Sequence, residues 1–146
     1  MQIEVQIDET VRETKVVIVT SKMDETVSDL MRRISEESPQ VIAGFSQGAV
    51  CLLEQAEIIR CFACDGKVFA VTAAGEWALR LRLYELEERL DKRCFVRISN
   101  SEIINLRKVK NFDLSYTGTI RVNMKNGDTA FVSRRYVGRI KNVLGI

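Results

Sequence analysis

TIRVNMKNGDTAFVS, residues 119–133, decides the architecture. Apolar and polar residues alternate on both sides of Asn126-Gly127, the pattern of two half-buried strands joined by a tight turn. Upstream, FVRIS (95–99), a polar Ser99-Asn100-Ser101-Glu102 element, IINL (103–106) and KVKNFDLSY (108–116) continue the β pattern. Downstream, RYVGRIKNVL (135–144) reads as a short closing helix.

Further toward the N-terminus, AVCLLE, EIIRCFA, KVFAVTA and EWALRL form a meander of short strands, with turns at Cys64-Asp65-Gly66 and Ala74-Gly75. LYELEERL (83–90) is an amphipathic helix: Leu83, Leu86 and Leu90 share one face, and Glu85, Glu87, Glu88 and Arg89 are expected to face solvent. At the start of the chain, QIEVQI and KVVIVT read as two strands. Val27, Leu30, Met31 and Ile34 then have helical spacing, starting after Asp24 or Glu25 and ending near Pro39. The expected fold is mainly β with a few helices, of the α+β class. A ββα unit over residues 1–47 precedes a mostly β domain over 48–146, and its apolar stripe is expected to pack against the rest of the chain or a second copy. Phe95, Ile98, Ile103, Ile104, Phe131 and Val132 are the expected core of the second part.

The composition excludes several functions. The 146 residues include one proline, eight glycines and no histidine. The missing histidine removes histidine-based catalytic triads, imidazole zinc ligands and histidine phosphorelay. No P-loop or GxSxG is present, so no enzymatic activity is expected. MQIEVQIDE lacks the basic and apolar regions of a signal peptide. The longest charge-free stretch, Ser38 to Leu53, is too polar for a membrane span, so a cytoplasmic protein with reduced thiols is expected. Of Cys51, Cys61, Cys64 and Cys94, only Cys61 and Cys64 have zinc-ligand spacing, and a single CxxC does not make a tetrahedral site. The cysteines are expected as small apolar strand residues, with no metal and no cofactor.

Charge divides the chain. Residues 1–91 hold 10 Lys and Arg against 17 Asp and Glu, net −7; residues 92–146 hold 12 against 3, net +9. A segment that basic suits a polyanion, because each neutralised phosphate releases counterions. Its charges sit in LRKVKN, NMKNGD and SRRY, at strand edges and turns rather than along one basic helix.

The order KVFAVT, LYELEERL, FVRISNSEIINLRKV and MKNGDTAFVSRRYVGRIKNVL resembles the LytTR DNA-binding domain of bacterial transcriptional regulators, from about Gly48 to Gly145. The block Phe95 to Asn105 and the closing Asn126, Gly127, Val132, Ser133, Arg134, Arg135 and Tyr136 carry the resemblance. It implies an elongated arrangement of small antiparallel sheets that reads double-stranded DNA through loops, at direct-repeat promoter sites bound by a pair of molecules. It further implies a stand-alone regulator without a receiver domain, acting as a homodimer and controlled by a partner such as an inhibitory membrane protein. The acidic ββα unit is the expected dimerisation or partner surface.

Many members of this family carry a histidine where this chain has Ser99. That contact does not transfer, whereas the neighbouring Asn100 can pair with adenine N6 and N7. Lys67 lies in the turn where the resemblance places another DNA-contacting loop. Arg135 is the expected base-edge contact, since its fork suits guanine O6 and N7. Phosphate contacts are expected from Arg97, Ser101, Lys108, Lys110, Arg134 and Arg139. Arg97 in a salt bridge, and Lys108 and Lys110 as guards of a strand edge, are readings the sequence leaves open beside these, and Asn105 is expected to cap or turn the chain. Rival functions are a protein-interaction adaptor that has lost DNA binding and an RNA-binding module, although the aromatic sheet signature of the latter is missing.

Overall fold

The computed structural model describes residues 1–35 and 41–146, in two compact units, Met1–Glu36 and Glu37–Ile146. In the first unit, helix α1 (Glu25–Ser35) forms where the apolar spacing puts it. Asp24 caps it by accepting the Val27 amide at 2.9 Å. Pro39, where the helix was expected to end, lies outside the described residues. The two strands expected over 2–7 and 15–20 do not form; residues 1–24 carry no strand. Ile3, Val5 and Ile7 are 80–92% exposed. A two-stranded ribbon with no third strand against it is marginal in water, and alternating apolar residues alone do not supply one.

The described residues of the second unit form ten strands. β1 (Val41–Ser46), β2 (Ala49–Glu54), β3 (Arg60–Cys64), β4 (Lys67–Thr72), β5 (Gly75–Leu79), β6 (Phe95–Ser99) and β7 (Glu102–Asn105) form one sheet in the order β2-β1-β5-β4-β3-β7-β6. β8 (Val109–Asp113), β9 (Ile120–Met124) and β10 (Thr129–Val132) form a smaller sheet in the order β10-β9-β8, with β9 and β10 joined at Asn126-Gly127 as their sequence requires. Every pairing is antiparallel. Helices α2 (Leu83–Arg89) and α3 (Arg134–Leu144) complete the unit.

β1 lies before the boundary placed at 48 by the sequence. Val41 to Ser46 pair along their whole length with β2, and Phe45 pairs with Ala78 of β5, so VIAGFS belongs to the sheet. Gly44 permits this: a Cβ there would stand 2.8 Å from Leu53 Cδ1 and 2.9 Å from Trp77 Cβ. β1 lies within the charge-free run Ser38 to Leu53 and buries Ile42 and Gly44.

Two apolar clusters lie on opposite faces of the large sheet. Ile42, Leu53, Cys61, Ala70, Leu79 and Ile103 meet the α2 leucines in one; Val71, Val96, Ile98, Ile104, Ile120, Val122, Val132 and Ile140 form the other, with the small sheet and α3. Phe131, expected in the core, is 51% exposed and instead meets the Tyr116 ring edge-on, with centroids 5.7 Å apart. Cys61 is buried, and burial pushes its thiol up to about 12, so it is a small apolar residue here and no nucleophile. Cys64 is exposed, and among the described residues no group of side chains could hold a metal.

Polar residues fix how the parts join. Asn105 is 1% exposed; its Nδ2 donates to Ile58 O at 2.8 Å and its Oδ1 accepts from Arg107 N at 3.0 Å. Arg60 donates to Glu102 at 2.8 Å and to Asp128 at 3.0 Å, pinning the β9–β10 hairpin to β3 and β7. The hydrogen bond from Arg60 holds the Asp128 carboxyl below its ordinary value, whereas burial pushes Glu102 up despite the same arginine.

Asn105→Ala leaves Ile58 O and the Arg107 amide without partners and should cost about 1–3 kcal/mol in a denaturant melt. The lowered Asp128 carboxyl stabilises the fold above the ordinary aspartate range, and that contribution disappears as pH falls through its folded value. Asp128→Asn should therefore be less stable than the parent at neutral pH, and urea melts in acid should show the gap closing. A gap that stayed constant with pH would contradict the pin.

Candidate nucleic-acid interface

Two hairpin turns and the start of a helix meet at one end of the large sheet. The first is the β3–β4 turn, where Asp65 (φ 51°) and Gly66 (φ 75°) both take positive φ, as a tight two-residue hairpin requires. It presents the exposed Lys67. The second is the β6–β7 turn, Ser99 to Glu102, which carries Asn100 and Ser101, both exposed. β3 pairs with β7, Phe62 opposite Glu102, and the Ala63 amide donates to Ser101 O at 2.8 Å, so the two turns are tied together. The third is the start of α3, where the Ser133 amide donates to Ile98 O at 2.9 Å and the Tyr136 hydroxyl donates to Asn100 Oδ1 at 3.3 Å.

Arg134 and Arg135 occupy the first turn of α3 and are exposed. Two cations at the positive end of a helix dipole are unfavourable in isolation and become favourable when an anion arrives. Lys67, Asn100, Ser101, Arg134 and Arg135 are thus brought to one end of the sheet by backbone ties, to which the Asn100 side chain adds its bond with Tyr136.

The remaining candidates are placed otherwise. Lys108 and Lys110 sit beyond the other end of β7, in the short helical turn Leu106–Lys108 and in β8, where the Lys125 amide donates to Lys108 O at 2.8 Å. They form a separate basic patch with Arg107 and Lys125, whose Nζ donates to Arg107 O at 3.0 Å.

Arg97, expected on phosphate, is turned inward. Its side chain is only 14% exposed; Nε donates to Ser99 O at 2.9 Å, Nη2 to Asn100 O at 2.7 Å and Nη1 to Glu87 at 2.9 Å. In the free chain it is in the salt bridge that the sequence left open. Arg139 is shared: its side chain is 53% exposed while Nη2 reaches Glu87 at 3.1 Å.

Glu87 was expected in solvent and is instead the carboxylate between these two arginines. Partial burial pushes it up, but the hydrogen bonds from Arg97 and Arg139 outweigh that and hold it below its ordinary value. The signal for it was present: Glu87 lies four residues after Leu83 and three before Leu90, at the flank of the apolar face. Glu85 does cap α2, accepting the Arg82 amide at 3.1 Å. Tyr136, quoted only as part of a motif, proves to be the side chain that touches Asn100.

Residues 48–145 match the LytTr DNA-binding domain family. An uncharacterized HTH-type transcriptional regulator of Staphylococcus aureus strain NCTC 8325 is 30% identical over 135 residues, covering 92% of this chain and 91% of its own. Its counterpart in strain MRSA252 is 29% identical over the same length. These alignments are longer than the domain and so reach into the first unit. The LytTr DNA-binding domain of a methyl-accepting/DNA response regulator from Bacillus cereus superposes with a TM-score of 0.72, at 22% identity, over 74% of this chain and 99% of that one. Although the Staphylococcus relatives are named for a helix-turn-helix, strands separate all three described helices of this chain from one another.

Proposed function

We propose that this chain, a member of the LytTR DNA-binding domain family, is a transcriptional regulator that reads promoter DNA through turns rather than through a helix laid in the groove. The observation that carries the reading is the convergence of the β3–β4 turn, the β6–β7 turn and the α3 N-terminus, fastened by the Ala63–Ser101, Ser133–Ile98 and Tyr136–Asn100 hydrogen bonds. Lys67, Asn100 and Arg135 are the base-edge contacts in this reading. Ser101 and Arg134 hold phosphates beside them, and the free face of Arg139 adds to the same field.

Lys108 and Lys110 fit as phosphate contacts at a distance. β7 spans four residues, roughly 13 Å at strand rise. That length is close to the roughly 12 Å width of the major groove, so turns in the groove leave the second basic patch near a flanking backbone. Arg97 leaves the list of phosphate contacts, since its donors are committed within the protein.

Direct-repeat sites bound by a pair of molecules are the fitting target, with the N-terminal unit as the dimerisation or partner surface. Support comes from its open apolar groove, lined by Val16, Ile18, Met23, Val27 and Ile34. An inhibitory membrane protein is the proposed kind of partner and the cytoplasm the proposed location. No described helix is long and apolar enough to cross a membrane.

Fluorescence anisotropy against the upstream promoter duplex and a scrambled duplex, over a salt series, tests this reading. Arg135→Ala should lose about 1–3 kcal/mol on the promoter and relax preference at one base pair. Lys110→Ala should weaken both duplexes alike and reduce the salt slope by about 1. Failure of the parent protein on both duplexes at low salt would contradict the reading and favour the adaptor.

A further inference from the structure

We propose that Glu87 is a positioning residue for DNA reading: by holding Arg97 and Arg139 at once, it sets the β6–β7 turn that carries Asn100 and the helix that carries Arg135 in one fixed relation. The inference rests on the reading of these elements as DNA-contacting.

The sheet holds this turn on the β3 side, through Ala63 and Ser101, but less firmly on the β6 side. The β6–β7 register shifts between Arg97 and Ser99, so the ladder is interrupted just where Asn100 leaves it. The Arg97 guanidinium takes over, clamping Ser99 O at 2.9 Å and Asn100 O at 2.7 Å. A guanidinium with a side chain 14% exposed is tolerated there because Glu87 Oε2 neutralises it at 2.9 Å. Without that carboxylate the arginine gains by swinging to solvent or to a phosphate, and both carbonyl bonds go with it.

The other oxygen of Glu87 accepts from Arg139 Nη2 at 3.1 Å, on the same helix as Arg134 and Arg135. Glu87 stands on α2, behind the turn, and its own side chain is 29% exposed. One carboxylate therefore ties three elements, and the Tyr136 hydroxyl on Asn100 Oδ1 closes the loop from the far side. An acidic residue beside a DNA-binding face repels phosphate, so charge alone does not account for its place there.

The electrostatic and positioning roles predict opposite signs. If Glu87 is only a negative charge, Glu87→Gln strengthens binding to every duplex by the same factor. If it positions Asn100 and Arg135, Glu87→Gln in the full chain lowers the promoter-to-scrambled preference about tenfold, the scale of one lost base contact, while scrambled-duplex affinity holds or rises. Arg97→Lys keeps the charge and loses the paired carbonyl clamp, and should reduce the preference in the same way. Both variants are compared by anisotropy after circular dichroism shows a cooperative melt. Unchanged preference in either folded variant, or equal tightening on both duplexes, overturns the positioning role while leaving the DNA-binding reading intact. A parent protein with no promoter preference overturns that reading and this inference together.

Discussion

The pleat of one four-residue strand organises the second unit. Successive side chains of a strand point to opposite faces, and in β7 the adjacent Ile103 and Ile104 enter different apolar clusters, at 1% and 0% exposure. Ile103 anchors the face covered by α2, and Ile104 anchors the small sheet and α3. Burying each is worth about 1.5–3 kcal/mol. Because both attachments are made from one strand, the turn at its start stands where the two packed faces adjoin, and the proposed interface lies at that point.

Arginine then does in this chain what histidine and metals do in others. Arg60 joins the hairpin of the small sheet to β3 and β7, and Arg97 joins the β6–β7 turn to α2. Each is partly buried and each has a carboxylate, which the planar fork of the guanidinium matches with several donors in fixed directions. The net positive charge of the C-terminal segment is therefore not all surface field. Within it Arg97 holds the scaffold, while Lys110, Arg134 and Arg135 remain exposed.

Much of this was legible from residues alone. Asn126-Gly127, Asp65-Gly66 and the alternation around them placed the strands of the second unit, because turn chemistry and period-two burial are both local. Asn105 was expected to cap or turn the chain, and it caps the short helical turn after β7. What escaped depends on neighbours distant in sequence. QIEVQI has the same alternation as a true strand but no sheet to join, and VIAGFS joins a sheet through a glycine whose need appears only beside Leu53 and Trp77. Arg97 and Glu87 are ten residues apart on different elements, and no pattern in the chain tells a phosphate contact from an internal clamp. Lys108 and Lys110 looked continuous with Asn100 in sequence, yet a strand length separates them.

In the proposed mode of binding, DNA meets this protein at one end of the large sheet. Titrating the full chain with promoter duplex and following backbone amide resonances tests it most directly. Gly66, Lys67, Asn100, Ser101 and Arg135 should shift most, with smaller movements at Lys108 and Lys110, and the β2 edge should stay still. Largest shifts along β2 or α1, with Asn100 and Arg135 unmoved, would contradict the account.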